Sequence, residues 1–67
     1  MEKKIAIEGM ACAHCSARVE KALQAIPGVT ARVELAEKCA YVQGDMLDDA
    51  ALRQAVEHAG YQVVDIQ

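Results

Sequence analysis

What limits the folds open to this chain is the order in which its apolar spacing changes over 67 residues. Lys4 to Glu8 alternates, with Ile5 and Ile7 on one side, as a half-buried strand does. From Ala13 to about Ala25 the spacing becomes helical. Val19, Ala22, Leu23 and Ile26 form the apolar side, and Arg18, Glu20, Lys21 and Gln24 the wet one. Pro27 disfavours helical geometry at Ile26 and Gly28 permits a turn, so this helix ends there. Ala31, Val33 and Leu35 then alternate with Arg32 and Glu34. After a turn at Ala36-Glu37-Lys38, Ala40 and Val42 alternate with Cys39 and Tyr41, which makes a hairpin. Gln43-Gly44-Asp45 breaks the pattern. Asp48 or Asp49 can cap a second helix whose inner stripe is Leu52, Ala55, Val56 and Ala59. Gly60 stops it at the C-terminal cap, and Tyr61 to Ile66 is the last strand. Strand, helix, strand, strand, helix, strand predicts a split βαβ, ferredoxin-like α+β fold. Its four-stranded antiparallel sheet carries two helices on one face and leaves the other face solvated.

The chemistry concentrates between the first strand and the first helix, in Gly9-Met10-Ala11-Cys12-Ala13-His14-Cys15. Two cysteines three positions apart at such a junction can turn both sulfurs toward one point. Cys15 falls in the first helical turn, where the helix dipole and free N–H groups favour thiolate over thiol. Such a pair can hold a soft metal ion or form a disulfide. A structural zinc site takes four ligands, commonly two C-x-x-C pairs or one with a histidine pair. Here Cys12 and Cys15 are joined only by a distant Cys39 and two histidines at unrelated positions. Two exposed thiolates are too few for stable zinc and suit monovalent copper, which soft ligands select. An ion held by so few ligands can be removed one ligand at a time, which is the property of a carrier.

The Gly-Met-x-Cys-x-x-Cys segment resembles the metal-binding signature of the heavy-metal-associated domain family, found in copper chaperones and at the amino termini of copper-exporting P-type ATPases. The likeness spans nearly the whole chain, including Pro27-Gly28-Val29 after the first helix and Gly60-Tyr61 before the last strand. It implies one domain over residues 1–67 with the same ferredoxin-like architecture. It further implies a bacterial-type copper chaperone, with Cu(I) held by Cys12 and Cys15 and passed by thiolate exchange to the metal-binding domain of a copper-exporting ATPase. A copper-bridged homodimer is a second expected association. Zinc- and cadmium-type members often carry Asp directly before the first cysteine. Ala11 occupies that position here, which weakens zinc, cadmium or mercury as the cargo. A thiol–disulfide oxidoreductase is the alternative from another class, since thioredoxin-like proteins also place C-x-x-C at a strand-to-helix junction. The chain is short for that fold.

Several other side chains are weighed on the same basis. Met10 is expected to fill the core beneath the loop, as flexible methionine does, and to support the site rather than ligate. His14 is expected to point to solvent and to tune the thiolates by its charge. Tyr61, by resemblance, approaches the metal loop and shields it or hydrogen-bonds toward a cysteine sulfur. His58, in the last turn of the second helix, complements the helix dipole. Cys39 falls on the outward phase of its strand, far from the loop, and is expected to be a bystander thiol, open to oxidation if exposed. Arg18 and Lys21 offer a positive rim to an acidic partner.

Composition closes off other classes. A chain this short hides about 60% of the surface its unfolded form exposes, so the core is thin. With no Trp or Phe, that core comes from aliphatic side chains and Met. The formal charge of −3 argues against a nucleic-acid binder. It is unevenly spread, at +1 over residues 1–43 and −4 over residues 44–67, so the cysteines lie in the more basic part. No apolar run reaches membrane-spanning length, and the N-terminus enters a strand without a signal-peptide hydrophobic region. Three cysteines, an odd number, fit a reducing compartment such as the cytoplasm better than a disulfide framework.

Overall fold

The computed structural model describes residues 1–67. The elements are β1 (Glu2–Glu8), α1 (Ala13–Gln24), β2 (Val29–Glu34), β3 (Cys39–Gly44), α2 (Asp49–His58) and β4 (Gln62–Ile66). The strands form one sheet in the order β2-β3-β1-β4, with every neighbouring pair antiparallel. β3 lies between β2 and β1, which gives the split βαβ arrangement expected from the order of elements.

One core explains why both helices share a face. Ile5, Ile7, Ala31, Ala40 and Val42 from the sheet pack with Val19 and Leu23 of α1 and Leu52 and Val56 of α2. Met10, in the loop after β1, completes this cluster at 4% exposure. No side-chain polar atom is buried without a partner, so the thin core carries no desolvation penalty from orphaned groups.

The ends of the elements differ from the expected ones for local reasons. β1 starts two residues earlier because Glu2 pairs with Gln43, and the terminal amine donates to the Gly44 carbonyl at 2.8 Å. Asp48, not Asp49, caps α2: its carboxylate accepts from the Ala50 N–H at 3.0 Å. Tyr61 is not a strand residue. Gly60, at φ +100°, follows the cap residue Ala59; its N–H donates to the Glu57 carbonyl at 3.0 Å, and the Tyr61 N–H to the Val56 carbonyl at 3.3 Å. That is a Schellman termination, and it fixes the backbone of Tyr61 before β4 begins.

The strand directions bring several connections to one end of the sheet. The loop after β1, the N-terminus of α1, the β2–β3 turn and the α2–β4 junction all lie there, as the register of Ala6 with Cys39 and Glu8 with Gln62 requires.

Candidate metal centre

Gly9 opens the loop at φ +100°, in the left-handed region that side chains avoid. The Tyr61 ring lies beside it, so that a Cβ there would be in ordinary contact, 3.4 Å from Cδ1. Met10 then turns into the core, while Ala11 and Cys12 are exposed. The buried methionine therefore anchors a loop that otherwise stands in solvent.

Cys12 is the N-cap residue of α1, with extended backbone at φ −155° and ψ 173°. Its carbonyl accepts from the N–H groups of Cys15 at 3.0 Å and Ser16 at 3.2 Å. A Ser, Asp or Asn at this place would normally spend its side chain on capping. The Cys12 sulfur makes no such bond and stays free. Cys15, half-buried one turn on, brings its Sγ to 3.6 Å from that of Cys12. This is far beyond a disulfide bond of about 2.05 Å, and both thiols are free.

Cys15 is the polarised member of the pair. Its thiol is lowered from 9.0 to about 7, first by the Tyr61 hydroxyl and then by the backbone at Ala11 and the Cys12 side chain, against a smaller opposing effect of burial. The phenol responds in the opposite sense: Cys15 is the main cause that raises Tyr61, with Arg18 partly offsetting it. No acidic side chain stands in the first turn of α1 to oppose a thiolate.

The structure thus gathers Cys12, Cys15 and Tyr61 at one point, with Met10 beneath them. His14 is exposed, and no three His, Cys, Asp or Glu side chains converge anywhere in the chain. Arg18, Lys21 and His58 rim a shallow groove of about 470 Å³ between the helices, floored by Ala22, Ala25 and Ala59.

Cys39 requires a correction. Its outward phase is as expected, since it shares a face with its partner Ala6 while Ala40 and Val42 enter the core. It is not exposed, however, but 1% accessible. Nor is it remote along the sheet: Ala6, its partner, stands three residues before Gly9, about 10 Å along the strand, on the face away from the helices. Alternation alone could not reveal the cover, because it comes from side chains in the neighbouring turn.

A split-βαβ domain that presents two close free thiols on an exposed loop is by class a small metal-binding module. Residues 4–62 match the heavy-metal-associated domain, and the chain belongs to that family. Over 57 residues it is 54% identical to copper-transporting ATPase 2 of Rhizobium meliloti, covering 82% of this chain and 7% of that protein. It is 43% identical over 60 residues to the copper-exporting P-type ATPase of Mycobacterium tuberculosis, covering 88% of this chain and 8% of the other. The chain therefore spans less than a tenth of the length of these relatives. Among solved structures, a CopZ metallochaperone superposes with a TM-score of 0.90 at 37% identity, covering 96% of this chain and all of that one. The N-terminal domain of PacS from Synechocystis PCC6803 gives 0.88 at 32% identity, covering 100% of this chain and 97% of that one. No helix is long and apolar enough to cross a membrane.

Proposed function

We propose that this domain carries copper(I) on Cys12 and Cys15 and surrenders it by thiolate exchange to the metal-binding domain of a copper-exporting P-type ATPase. The observation that carries the reading is an incomplete donor set: two thiols 3.6 Å apart with no third donor beside them. Two metal–thiolate bonds of about 2.3 Å span at most about 4.6 Å. The pair as it stands therefore suits a bent arrangement, and a straight one needs the sulfurs to spread. Either way the ion keeps an open side toward solvent, where a partner's thiolate enters before Cys12 or Cys15 leaves. No bond in the cargo is made or broken by turnover chemistry, so the domain is a carrier and not an enzyme.

The surrounding residues take supporting roles. Met10 anchors the loop, Tyr61 adjusts the Cys15 thiolate, and His14 contributes charge without ligating. Arg18, Lys21 and His58 line the groove between the helices and offer a positive rim to an acidic partner, which raises the rate of encounter more than the affinity. Copper sharing between two copies uses the same open side. The free thiols fit the reducing cytoplasm.

A second reading follows from the relatives of which this chain spans under a tenth: the same domain within a copper ATPase. A CopZ metallochaperone and a copper-binding domain of a P-type ATPase both superpose over nearly their whole length, so the two readings are separated in the host. A product of 67 residues in host extracts supports the carrier, whereas detection only within a larger polypeptide supports the ATPase domain. The central test is anaerobic competition with a copper(I)-specific chelator, followed by X-ray absorption on the loaded protein. One ion per chain with two sulfurs from Cys12 and Cys15 is expected. Failure to hold copper(I) alongside tight zinc binding overturns the assignment, and insulin reduction after strict metal removal would point to the oxidoreductase.

A further inference from the structure

We propose that Glu37 and Tyr41 form a clasp over Cys39, sealing the third thiol so that Cys12 and Cys15 are the only thiols the domain offers to a soft metal ion. The problem the clasp solves is geometric. Cys39 sits on the sheet face that neither helix covers, at the same end as the metal loop, yet it is 1% exposed. Helix packing cannot account for that burial. The side chains against the sulfur can: the Cys39 thiol donates to Oε1 of Glu37 at 3.7 Å, and the Tyr41 hydroxyl donates to the same oxygen at 2.7 Å. Glu37 leaves the β2–β3 turn to reach back over the thiol, and Tyr41 holds it there.

Both neighbouring strands brace this arrangement. Lys4 and Arg32 are the register partners of Tyr41 on β1 and β3's other neighbour β2. The Lys4 ammonium lies 5.9 Å from the Tyr41 ring centre and 3.9 Å from Glu37 Oε1, and the Arg32 guanidinium lies 5.4 Å from the ring. Tyr41 is therefore held between two cations while its hydroxyl is bound to a carboxylate. The hydroxyl is also the main cause that holds the Glu37 carboxyl below its ordinary range.

Sealing matters to a carrier, and this consequence rests on the copper reading. An open thiolate beside the loop would compete for the ion, and would link copies through disulfides or shared metal. Glu37 and Tyr41 are thus positioning residues that act through Cys39 and restrict the cargo to one place.

The test uses the full chain with Cys12 and Cys15 both replaced by Ser, which leaves Cys39 as the one thiol. An aromatic disulfide reagent reports its reactivity, and copper(I) supplied as the acetonitrile complex reports capture. With the clasp intact, labelling is expected to be slow and copper not retained. Glu37→Ala and Tyr41→Phe should each speed labelling about tenfold or more, because access then needs only local opening. Glu37→Ala should also retain copper, and thermal melting monitored by circular dichroism checks that each variant is folded. If Glu37→Ala does not fold, Tyr41→Phe, which keeps the ring, decides the matter. Labelling of the intact clasp at the rate of the urea-unfolded chain, or equal rates in all folded variants, overturns the proposal. The labelling arm contains no copper, so it stands or falls apart from the carrier reading.

Discussion

Replacing Tyr61 by Phe removes one oxygen and leaves the ring packed on Gly9, so its effect on the metal loop can be separated from packing. The hydroxyl is the largest of the influences that bring Cys15 from 9.0 to about 7. A thiol at about 7 is half ionised at neutrality, whereas one at 9.0 is about 1% ionised. Loss of the hydroxyl alone returns Cys15 part of the way, since the backbone at Ala11 and the Cys12 side chain still act. The thiolate population at neutral pH should then fall by a factor that cannot exceed about fifty. Copper must displace that proton, so apparent copper affinity should fall by the same factor at pH 7 and match the parent protein above pH 9. Folding stability follows the same sign. A thiol lowered in the folded state stabilises fully above its unfolded value and loses that contribution as pH falls through the folded one. The metal-free parent should therefore gain stability between about pH 7 and 9, and the Phe variant should gain less. Ultraviolet thiolate absorbance, chelator competition and urea melts, each run across pH, measure the three effects. An unchanged Cys15 titration in the Phe variant, with an unchanged copper profile, would refute the reasoning.

Further expectations concern the loop and its supports. Met10→Ala should cost about 2–5 kcal/mol by leaving a cavity under the loop, a large part of the roughly 3–10 kcal/mol a domain of this size holds. Met10→Leu should cost less than about 1.5 kcal/mol and leave the copper stoichiometry intact, and loss of copper in that variant would make the thioether a ligand. Gly60→Ala should cost roughly 1–2 kcal/mol through strain at φ +100° and also raise Cys15, because the Schellman turn places Tyr61. Asp48→Ala should lower stability by about 1 kcal/mol in urea melts while the Cys15 titration stays put, since the cap lies at the other end of α2. His14→Ala should leave the X-ray absorption signature unchanged; a nitrogen scatterer lost with the imidazole would place His14 on the ion.

How much of this was legible without the structure depends on the range of the interactions involved. Alternation at Ile5 and Ile7, helical spacing at Val19 and Leu23, and the stop signals at Pro27 and Gly60 are local, so the element order and the shared helix face follow from them. The position of Cys12 and Cys15 across a strand-to-helix junction is equally local, and their closeness follows from three residues of chain. Met10 could be assigned to the core because a flexible thioether side chain commonly fills the space beneath such a loop. The boundaries at Glu2 and Tyr61 were less visible, because one depends on pairing with Gln43 and the other on a turn made by Gly60.

The sequence by itself determined the order of strands and helices, the paired thiols and the loop that presents them, since each is set by residues a few positions apart. Only the tertiary structure decided that Tyr61 would polarise Cys15, and that an outward-facing Cys39 would be closed off by Glu37 and Tyr41. The first outcome turns on where side chains from separate elements meet, and the second on the flanking strands, whose Lys4 and Arg32 hold Tyr41 in place over a local turn. Those arrangements come into being only when the chain has folded.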